Sequence, residues 1–435
     1  MSANGILLLY HHPLAPSAST IMEHVDAFGR YSRFKVWSIN TELGFPEGLK
    51  TLSFQGILLH YSLFGPRYEM SEMFLDYLER SRGSYKIAFF QDEHRFCQKR
   101  FAFLNHFKID CVFTLVEPSY YRETYQKYTK VPKLVYTIPG YVSDTLIEMA
   151  RYKTIAEELR TIDIGYRGRK LETYMGKGSQ EKHGIAVEFS KRAGHLDLRL
   201  DIEAEERKRI YGEGWYDFVA QCRAVLGVEA GVSVFDVEDI VYRQYLQLST
   251  SNPKMRFEEV SKQLLDEWED RIPYRTISPR HFEAVALRVC QILFEGAYSG
   301  ILQPMLHYLP LKKDFSNFDE VIRMVRDRSL RSEITEKAYG DLIVSGRFSY
   351  GKFIQEIFDK TLLESGLRPE VSSGEAERVT HLLTKDTNKR RVYAGLRSLL
   401  YCSFPGRRAI ISRIRPLFAA CRKGKDRSPW HVPIR

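Results

Sequence analysis

Short apolar runs alternate with longer amphipathic segments along the first part of the chain. Runs of this kind are typical of parallel strands that are buried on both faces of a sheet. Six of them occur, at residues 5–10, 34–39, 56–60, 86–90, 111–116 and 133–138. The segments between them have the period of helices, and the clearest cover 17–30, 70–82 and 95–106. The pattern predicts a doubly wound α/β domain over residues 1–145.

The same alternation restarts after a polar linker that begins at Pro139 and extends to Arg160. A second α/β domain with Rossmann-like strand and helix order is therefore predicted over residues 160–367. Its elements are predicted as strands at 163–166 and 197–202, a helix at 179–193 and an inserted helix at 256–271.

Polar residues follow two predicted strands of the first domain at their carboxyl ends. His11 follows the first strand, and Asp92, Glu93 and His94 follow the fourth. Ligands of open parallel sheets bind outside the carboxyl ends of the strands, so these residues are candidates to contact a substrate. A carboxylate or imidazole beside a substrate hydroxyl can act as a general base. Asp92 is equally compatible with a role as the N-cap of the following helix.

A helix that opens with Ser278-Pro279-Arg280 is the strongest candidate for an anion site. Ser278 is a favourable N-cap, and Pro279 suits the first helical position. Free N–H groups and the positive end of the helix dipole would then face a phosphate near Ser278, Arg280 and His281. Glu283, in the first turn, could accept two hydrogen bonds from a ribose diol. The alternative is that Glu283 is a solvated acid on an ordinary amphipathic helix.

Two further segments of the second domain are candidates for contacts with the same ligand. The first is the basic loop Arg167-Gly168-Arg169-Lys170, where the glycine would let the backbone approach a phosphate. The second follows a later strand, at the place where a sugar would lie, and consists of Glu295, Gly296, Tyr298 and Ser299. A solvated basic loop and an ordinary turn are the alternatives.

The segment Arg280-His281-Phe282-Glu283-Ala284-Val285-Ala286 resembles the R-x-F-E-A-x-A helix of GT-B glycosyltransferases. The resemblance is to the family 1/4-like group that includes CgeB-type proteins of bacterial surface-polysaccharide clusters. It covers residues 1–367 and is strongest over residues 275–327. It implies two Rossmann-like domains facing each other across a cleft, with the nucleotide-sugar donor on the second and the acceptor on the first. The roles that it implies are a diphosphate contact for Arg280, a ribose contact for Glu283 and stabilisation of the leaving phosphate by Arg167 or Lys170.

The net charge of +10 is concentrated near the C-terminal end of the chain. Residues 389–435 contain thirteen Lys and Arg against the single acid Asp426, which leaves a charge of −2 on the first 388 residues. A nearly neutral body is unlike a nucleic-acid-binding groove, so no specific nucleic acid is expected as a partner. Residues 375–435 are predicted to form a basic helical extension, whose mixture of basic and apolar residues is typical of an anionic membrane surface. The same mixture also fits a helix that packs back on the body.

Several classes of protein are disfavoured by what the sequence lacks. No apolar run approaches the roughly 20 residues needed to cross a bilayer, and no signal-peptide pattern begins the chain. The six cysteines form no Cys-x-x-Cys pair, which disfavours both a zinc ribbon and a disulfide framework. No Asp-x-Asp follows a predicted strand, and no metal or other cofactor is expected. The expected address is cytoplasmic, including the inner face of the membrane.

These features predict a metal-independent glycosyltransferase that moves a sugar from a nucleotide-diphosphate sugar to a glycan or lipid-linked acceptor in cell-surface polysaccharide biosynthesis. The residues expected to act in the chemistry are Asp92, His94, Arg167 and Arg280, and those expected to bind the acceptor are His11 and Glu93. Other functions stay open: a nucleotide or sugar-phosphate binding protein without turnover, a protein whose tail binds nucleic acid nonspecifically, and a GT-B-like nucleotide-sugar epimerase.

Overall fold

An open sheet of six parallel strands forms the first domain, in the order β2-β1-β3-β4-β5-β6. The computed structural model describes residues 4–13, 20–65 and 68–401. The elements of this domain are β1 (Asn4–Tyr10), α1 (Thr20–Tyr31), β2 (Val36–Asn40), β3 (Phe54–Leu59), α2 (Glu72–Arg80), β4 (Tyr85–Phe89), α3 (Cys97–His106), β5 (Cys111–Thr114) and β6 (Lys133–Tyr136). The six predicted strands and the three predicted helices are confirmed.

The central strands are apolar throughout because helices cover both faces of the sheet. Along β1, all of the side chains from Ile6 to Leu9 are fully buried. Leu7 and Leu9 point to one apolar layer, and Ile6 and Leu8 point to the other. This alternation is the burial expected for a parallel strand between two helical layers.

A second sheet of five parallel strands forms the second domain, in the order β13-β12-β9-β7-β8. In both sheets the chain proceeds from an inner strand first to one side and then to the other, which creates a ligand crevice at the carboxyl ends. The elements are β7 (Ile162–Arg167), α5 (Lys177–Ala193), β8 (Leu200–Glu203), α6 (Glu213–Ala220), β9 (Cys222–Gly227), β10 (Ala230–Val234), α7 (Ile240–Ser251), α8 (Phe257–Val260), β11 (Glu269–Thr276), α9 (Pro279–Ala286), β12 (Cys290–Phe294), β13 (Leu309–Leu311), α10 (Phe318–Arg326) and α11 (Arg328–Tyr339).

Strands β10 and β11 form a separate antiparallel pair, with α7 and α8 inserted between them. The predicted helix at 256–271 is wrong in its second half. Helical structure ends at Leu265, and β11 begins at Glu269. The reason is that Ile272, Tyr274 and Thr276 are buried in alternation, and a period of two favours a strand.

The antiparallel pair connects the two domains through a shared apolar core. Val232 and Tyr274 from this pair, together with Phe235, pack in the same cluster as Phe90 and Phe101 of the first domain. The two Rossmann-like domains thus face each other across a cleft, and one apolar cluster with residues from both domains joins them. The predicted GT-B arrangement is confirmed.

The chain crosses between the domains twice. The linker helix α4 (Asp144–Lys153) is capped by Ser143 and packs on the second domain through Leu146 and Ala150. Helices α12 (Tyr350–Phe353) and α13 (Asp359–Glu364) then return to the first sheet. Phe353, Phe358 and Leu362 of this return segment are buried against the strands of that sheet.

The return segment thus falls within the range predicted for the second domain, 160–367, but packs on the first sheet. The apolar residues of the return segment have ordinary helical spacing. Which sheet the helix covers is decided by the tertiary structure. A sequence pattern records that such a helix has an apolar side, but not which of two sheets lies beneath it.

The last described element is the helix α14 (Ser373–Tyr401), which overlaps the predicted basic extension. Val379 and Leu382 of this helix pack on the first domain. Residues 402–435 lie outside the described part of the chain, so the prediction for them is not tested. None of the helices between residues 4 and 401 that the structure describes is long and apolar enough to cross a membrane. The four cysteines within this range, Cys97, Cys111, Cys222 and Cys290, are buried free thiols.

Candidate active site

A cavity of about 320 Å³ lies where the carboxyl ends of the two sheets face each other. The first domain contributes Asp92, His94 and Arg95, and the second domain contributes the segments after β7 and β9 and the start of α9. The basic side chains of the second domain that line the cavity are Arg167, Arg169, Lys182, Arg209 and Arg280. Among the described residues that line the cavity, the acids are Asp92 and Glu229. A crevice with this balance of charge attracts anions.

The tip of α9 faces this cavity, as the sequence predicts. The Ser278 hydroxyl accepts a hydrogen bond from the Arg280 amide at 3.3 Å, and Pro279 occupies the first turn. The Arg280 guanidinium donates to the Arg167 carbonyl at 2.6 Å and stacks over the Trp215 ring at 4.5 Å. Ser278, Arg280 and His281 all line the cavity.

Arg167 is held by its own domain. Its guanidinium donates to the Asp201 carboxylate at 2.8 Å and stacks on Phe218 at 4.1 Å. Gly168 lines the cavity, and a Cβ on it would lie 2.6 Å from the Tyr166 ring, so this position has room only for glycine. Lys170 is exposed and is not among the residues that line the cavity. Of the two cations expected to meet the leaving phosphate, the structure places only Arg167 at the cavity.

Lys182, on α5, is a cavity residue that the sequence reasoning missed. Its ammonium donates to the Gly231 carbonyl at 2.9 Å. Burial lowers the pKa of Lys182 to about 8, and the nearby Asp92 carboxylate opposes that shift. A signal was available, because Lys182 lies three and seven residues before Ile185 and Phe189, which are fully buried on the same helix. A lysine on the apolar face of a helix is rare unless it has a partner or a ligand.

Glu283 makes a contact that the sequence could not show. Its carboxylate accepts a hydrogen bond of 2.6 Å from the Trp215 indole, and the side chain is buried. Burial raises the pKa of Glu283 to about 7, while the Trp215 hydrogen bond and the Arg280 charge oppose the rise. Trp215 lines the cavity and Glu283 does not, so a ribose would reach Glu283 only by displacing the indole.

Replacing Glu283 with glutamine is expected to reduce the dependence of stability on pH. The folded protein retains a proton that the unfolded chain releases above its ordinary pKa of 4.5, so this stabilisation is complete below pH 4.5 and is lost as pH rises through about 7. Between pH 5.5 and 7.0 the wild type should lose about 2 kcal/mol of unfolding free energy relative to the variant, at 1.36 kcal/mol per pH unit. Urea unfolding at the two pH values measures the difference. Glu295→Gln, at an exposed position, is the control, and parallel pH profiles for wild type and Glu283→Gln would contradict the assignment.

The residues after β12 build a turn rather than the cavity wall. The Glu229 carboxylate accepts hydrogen bonds from the Ala297 and Tyr298 amides at 3.0 and 2.9 Å, and a Cβ on Gly296 would lie 2.7 Å from that carboxylate. The Tyr298 hydroxyl donates to the Phe294 carbonyl at 2.6 Å. None of the four residues predicted to contact the sugar lines the cavity: Glu295, Gly296, Tyr298 and Ser299. Their backbone geometry is instead fixed by Glu229, which does line it.

Ser299 is likewise engaged within the second domain. Its hydroxyl lies 2.8 Å from that of Thr276 and accepts a hydrogen bond from the Ile277 amide at 3.2 Å. Its backbone is left-handed, with φ of 56°. This residue ties the turn after β12 to the end of β11.

Asp92 and His94 are the two strand-end residues of the first domain that reach the cavity. Asp92 is exposed and has a left-handed backbone, with φ of 51°. His94 is buried, and neither of its ring nitrogens has a hydrogen-bond partner among the described residues. Burial lowers the pKa of His94 well below its usual value, which keeps the imidazole neutral. Buried polar atoms are normally paired, so two unpaired ring nitrogens on a residue that lines the cavity make His94 a candidate for a ligand contact.

Glu93 points away from the cavity, which contradicts its predicted role in acceptor binding. Its carboxylate accepts hydrogen bonds from the Thr114 hydroxyl and the Leu115 amide, both at 2.8 Å. It also accepts from the hydroxyls of Tyr125 and, at 3.3 Å, Tyr274. Burial raises the pKa of Glu93 to about 7, although these hydrogen bonds oppose the rise. Residues 91–96 form a turn in which Asp92 has a left-handed backbone, and this turn directs Glu93 inward while Asp92 and His94 line the cavity.

His11 lies after β1 but is not among the residues that line the cavity. Its amide donates to the Ser62 hydroxyl at 3.0 Å, and its ring lies 3.5 Å from the Glu42 carboxylate. Among the residues that the structure describes, no group of three or more His, Cys, Asp or Glu side chains is arranged to hold a metal ion.

No protein-family model and no curated protein matches the sequence. Among solved structures, the chain is similar to an alpha-glucosyltransferase in complex with UDP and DNA, at 10% identity and a TM-score of 0.49 over 82% of this chain and 99% of the other. It is also similar to HepE of Anabaena in complex with UDP-glucose, at 10% identity and a TM-score of 0.44 over 84% and 100% of the two chains. For sucrose-phosphate synthase from Thermosynechococcus elongatus the corresponding values are 10%, 0.47, 83% and 99%. These values describe a likeness in architecture, and the resemblance to the CgeB-type group is not confirmed.

Proposed function

We propose that the protein is a glycosyltransferase that takes a sugar from a nucleotide-diphosphate donor held on the second domain. One observation carries the proposal: a single cavity is lined by basic residues of the second domain and by Asp92 and His94 of the first. We call the basic residues the cationic wall, and they are Arg167, Arg169, Lys182, Arg209 and Arg280. Transfer from such a donor needs fixed positive charge for the departing diphosphate and a polar group beside the acceptor hydroxyl. The two sides of the cavity provide one each.

The cationic wall suits a diphosphate whose negative charge grows as the sugar leaves. Arg280 uses one of its five N–H donors on Arg167, and its guanidinium is held flat by Trp215. Lys182 lines the same cavity, and its ammonium is anchored by the Gly231 carbonyl. Charges that are fixed before the reaction stabilise a developing anion more than mobile charges do, because nothing has to reorganise. In the proposed reaction these side chains do the work that a metal ion does in other enzymes.

The first domain would supply the group that meets the acceptor. A neutral imidazole has one donor and one acceptor nitrogen, so His94 can bind a sugar hydroxyl or accept a proton from one. Asp92 is the alternative general base, since its carboxylate is at the cavity and exposed. If the reaction retains the configuration of the sugar, both residues would position substrates instead.

The finer parts of the proposal concern the cellular setting. A glycan or lipid-linked acceptor, a role in cell-surface polysaccharide biosynthesis, and a cytoplasmic enzyme on the inner membrane face stay predictions from the sequence. Contact of the basic tail with an anionic membrane also stays a prediction, because residues 402–435 are outside the described range.

Thermal unfolding with nucleotides is the first test of this function. UDP, GDP, ADP and TDP are each compared with their free nucleosides, and we expect one diphosphate to raise the melting temperature while its nucleoside does not. The reason is that a ligand bound only by the folded state stabilises it, and the cavity recognises the diphosphate. The matching nucleotide sugar is then incubated with and without candidate acceptors.

Each outcome of the incubation distinguishes the proposal from its rivals. Release of nucleotide that depends on an acceptor supports transfer. Tight binding without product for any acceptor indicates a binding protein. Consumption of the nucleotide sugar without an acceptor indicates an epimerase.

A further inference from the structure

Helix α3 of the first domain is capped by a residue of the second domain. The residue before the helix, Phe96, has a left-handed backbone with φ of 55°, and its side chain caps nothing. The first amides of the helix, on Cys97 and Gln98, instead donate to the two carboxylate oxygens of Asp239 at 2.9 and 3.1 Å. A carboxylate at this place satisfies amides that have no partner within a helix and complements the helix dipole.

The backbone of Asp239 is fixed in a position from which its carboxylate can cap α3. Asp236 caps α7, accepting from the Ile240 and Tyr242 amides at 2.8 and 2.9 Å, so the Asp239 carboxylate is not used there. The backbone of Asp239 is left-handed, with φ of 57°, and its carbonyl accepts from Arg243 at 2.7 Å. This geometry directs the carboxylate across the domain boundary.

Further contacts join the same two segments. The Asp236 amide donates to the His94 carbonyl at 2.9 Å, and the Gln98 side chain donates to the Val237 carbonyl at 2.8 Å. From β11, the Tyr274 hydroxyl accepts from the Glu93 amide at 3.3 Å and donates to the Glu93 carboxylate. The loop that carries Asp92 and His94 is thus bonded to the second domain on both sides of His94.

We propose that Asp239 is a positioning residue. By capping α3, it holds loop 92–96 in a fixed position relative to the cationic wall of the cavity. The expected effect of Asp239 on catalysis rests on the proposed function, because Asp239 itself touches no reacting atom. If the domains separated, the amides of residues 97 and 98 would lose their acceptors together. Order in the loop that presents Asp92 and His94 therefore depends on the docking of the two domains.

Three substitutions separate capping from backbone geometry. Asp239→Gly tolerates the left-handed backbone but has no capping group. Asp239→Asn also tolerates it, and presents one carbonyl oxygen in place of two carboxylate oxygens. Asp327→Gly is the matched control, because Asp327 caps α11 within the second domain by accepting from the Leu330 amide at 3.1 Å.

The rate of amide hydrogen exchange at residues 97 and 98 reports directly on the two hydrogen bonds to Asp239. In Asp239→Gly we expect exchange at residues 97 and 98 to accelerate at least tenfold, with the amides of β1 and β3 unchanged. In Asp239→Asn only one of the two amides should accelerate, which tests the cap even if the glycine variant does not fold. Asp327→Gly should leave both at the wild-type rate. Unchanged exchange at residues 97 and 98 in the Asp239 variants would overturn the proposal.

Kinetics test the consequence for the active site. Because the donor is bound by the second domain, Asp239→Gly should leave the KM for the donor within twofold while lowering kcat about tenfold. Asp239→Asn should recover part of that loss. Normal kcat together with accelerated exchange would overturn the positioning role. If the wild type shows no transfer with any donor, the proposed function has failed, and the exchange measurements still decide whether the cap holds the loop.

Discussion

Replacing Lys182 with methionine is expected to lower kcat by roughly 10²–10³-fold, the usual effect of removing one fixed group that stabilises a developing negative charge. Methionine keeps most of the length of the side chain and removes the charge together with the hydrogen bond to the Gly231 carbonyl. Lys182 is the cavity cation best suited to this test, because Arg167 is tied to Asp201, and Arg280 also supports the Arg167 carbonyl. Affinity for the nucleotide diphosphate should fall as well.

The pH dependence gives this prediction a second signature. Since the pKa of Lys182 is lowered to about 8, kcat/KM for the wild type should decline as pH rises through that value and the ammonium loses its proton. The bound diphosphate would hold the proton, so the decline in kcat should come at higher pH. The methionine variant should lack this decline at high pH, both in kcat/KM and in kcat.

Lys191→Met on the same helix is the control, because Lys191 is exposed and on the opposite side from the cavity. Its kinetics should match those of the wild type. A Lys182→Met enzyme with normal kcat and a normal alkaline limb would exclude Lys182 from the chemistry.

Replacing Gly231 with alanine is expected to lower the free energy of unfolding by on the order of 3 kcal/mol. Gly231 has φ of 77°, and a Cβ there would lie 1.8 Å from the Tyr274 carbonyl oxygen on the paired strand. The strands β10 and β11 would have to separate, which would disturb the core shared by the domains. The carbonyl that anchors Lys182 would move with them. Because the unfolding entropy grows with chain length, the melting temperature of this 435-residue chain should fall by roughly 3 °C.

Gly184→Ala is the matched control for this change. Gly184 lies within α5, is exposed, and has no atom within 4 Å of the added methyl group. Alanine is favoured over glycine in a helix by about 0.5–1 kcal/mol, so this variant should be slightly more stable than the wild type. Equal stability of the two variants would show that the contact at Gly231 is relieved without separation of the strands.

The six strands of the first sheet could be predicted from the sequence because burial on both faces leaves an uninterrupted apolar run, as in Ile6 to Leu9. The opening of α9 was equally readable, since Ser278 and Pro279 act through local backbone geometry. Local chemistry of this kind survives in any fold.

What the sequence could not show was the direction of individual side chains. Asp92 and Glu93 are adjacent acids after one strand, yet one faces the cavity and the other is buried among hydroxyls. The turn after β12 looked like a sugar contact because glycines and polar residues serve both roles, and only Glu229 behind it shows that it is structural. The spacing of Lys182 from Ile185 and Phe189 places it on the buried face of its helix, but its partner, the Gly231 carbonyl, is distant in sequence and could not be identified.

The return of α12 and α13 to the first sheet has a consequence for biosynthesis. The last strand of that sheet ends at Tyr136, but Phe353 and Phe358, which cover one of its faces, are made more than two hundred residues later. At a synthesis rate of 5–20 residues per second, roughly 10 to 40 s separate the two events. During that interval the nascent chain presents an apolar surface with no native cover, which is the kind of surface that chaperones bind.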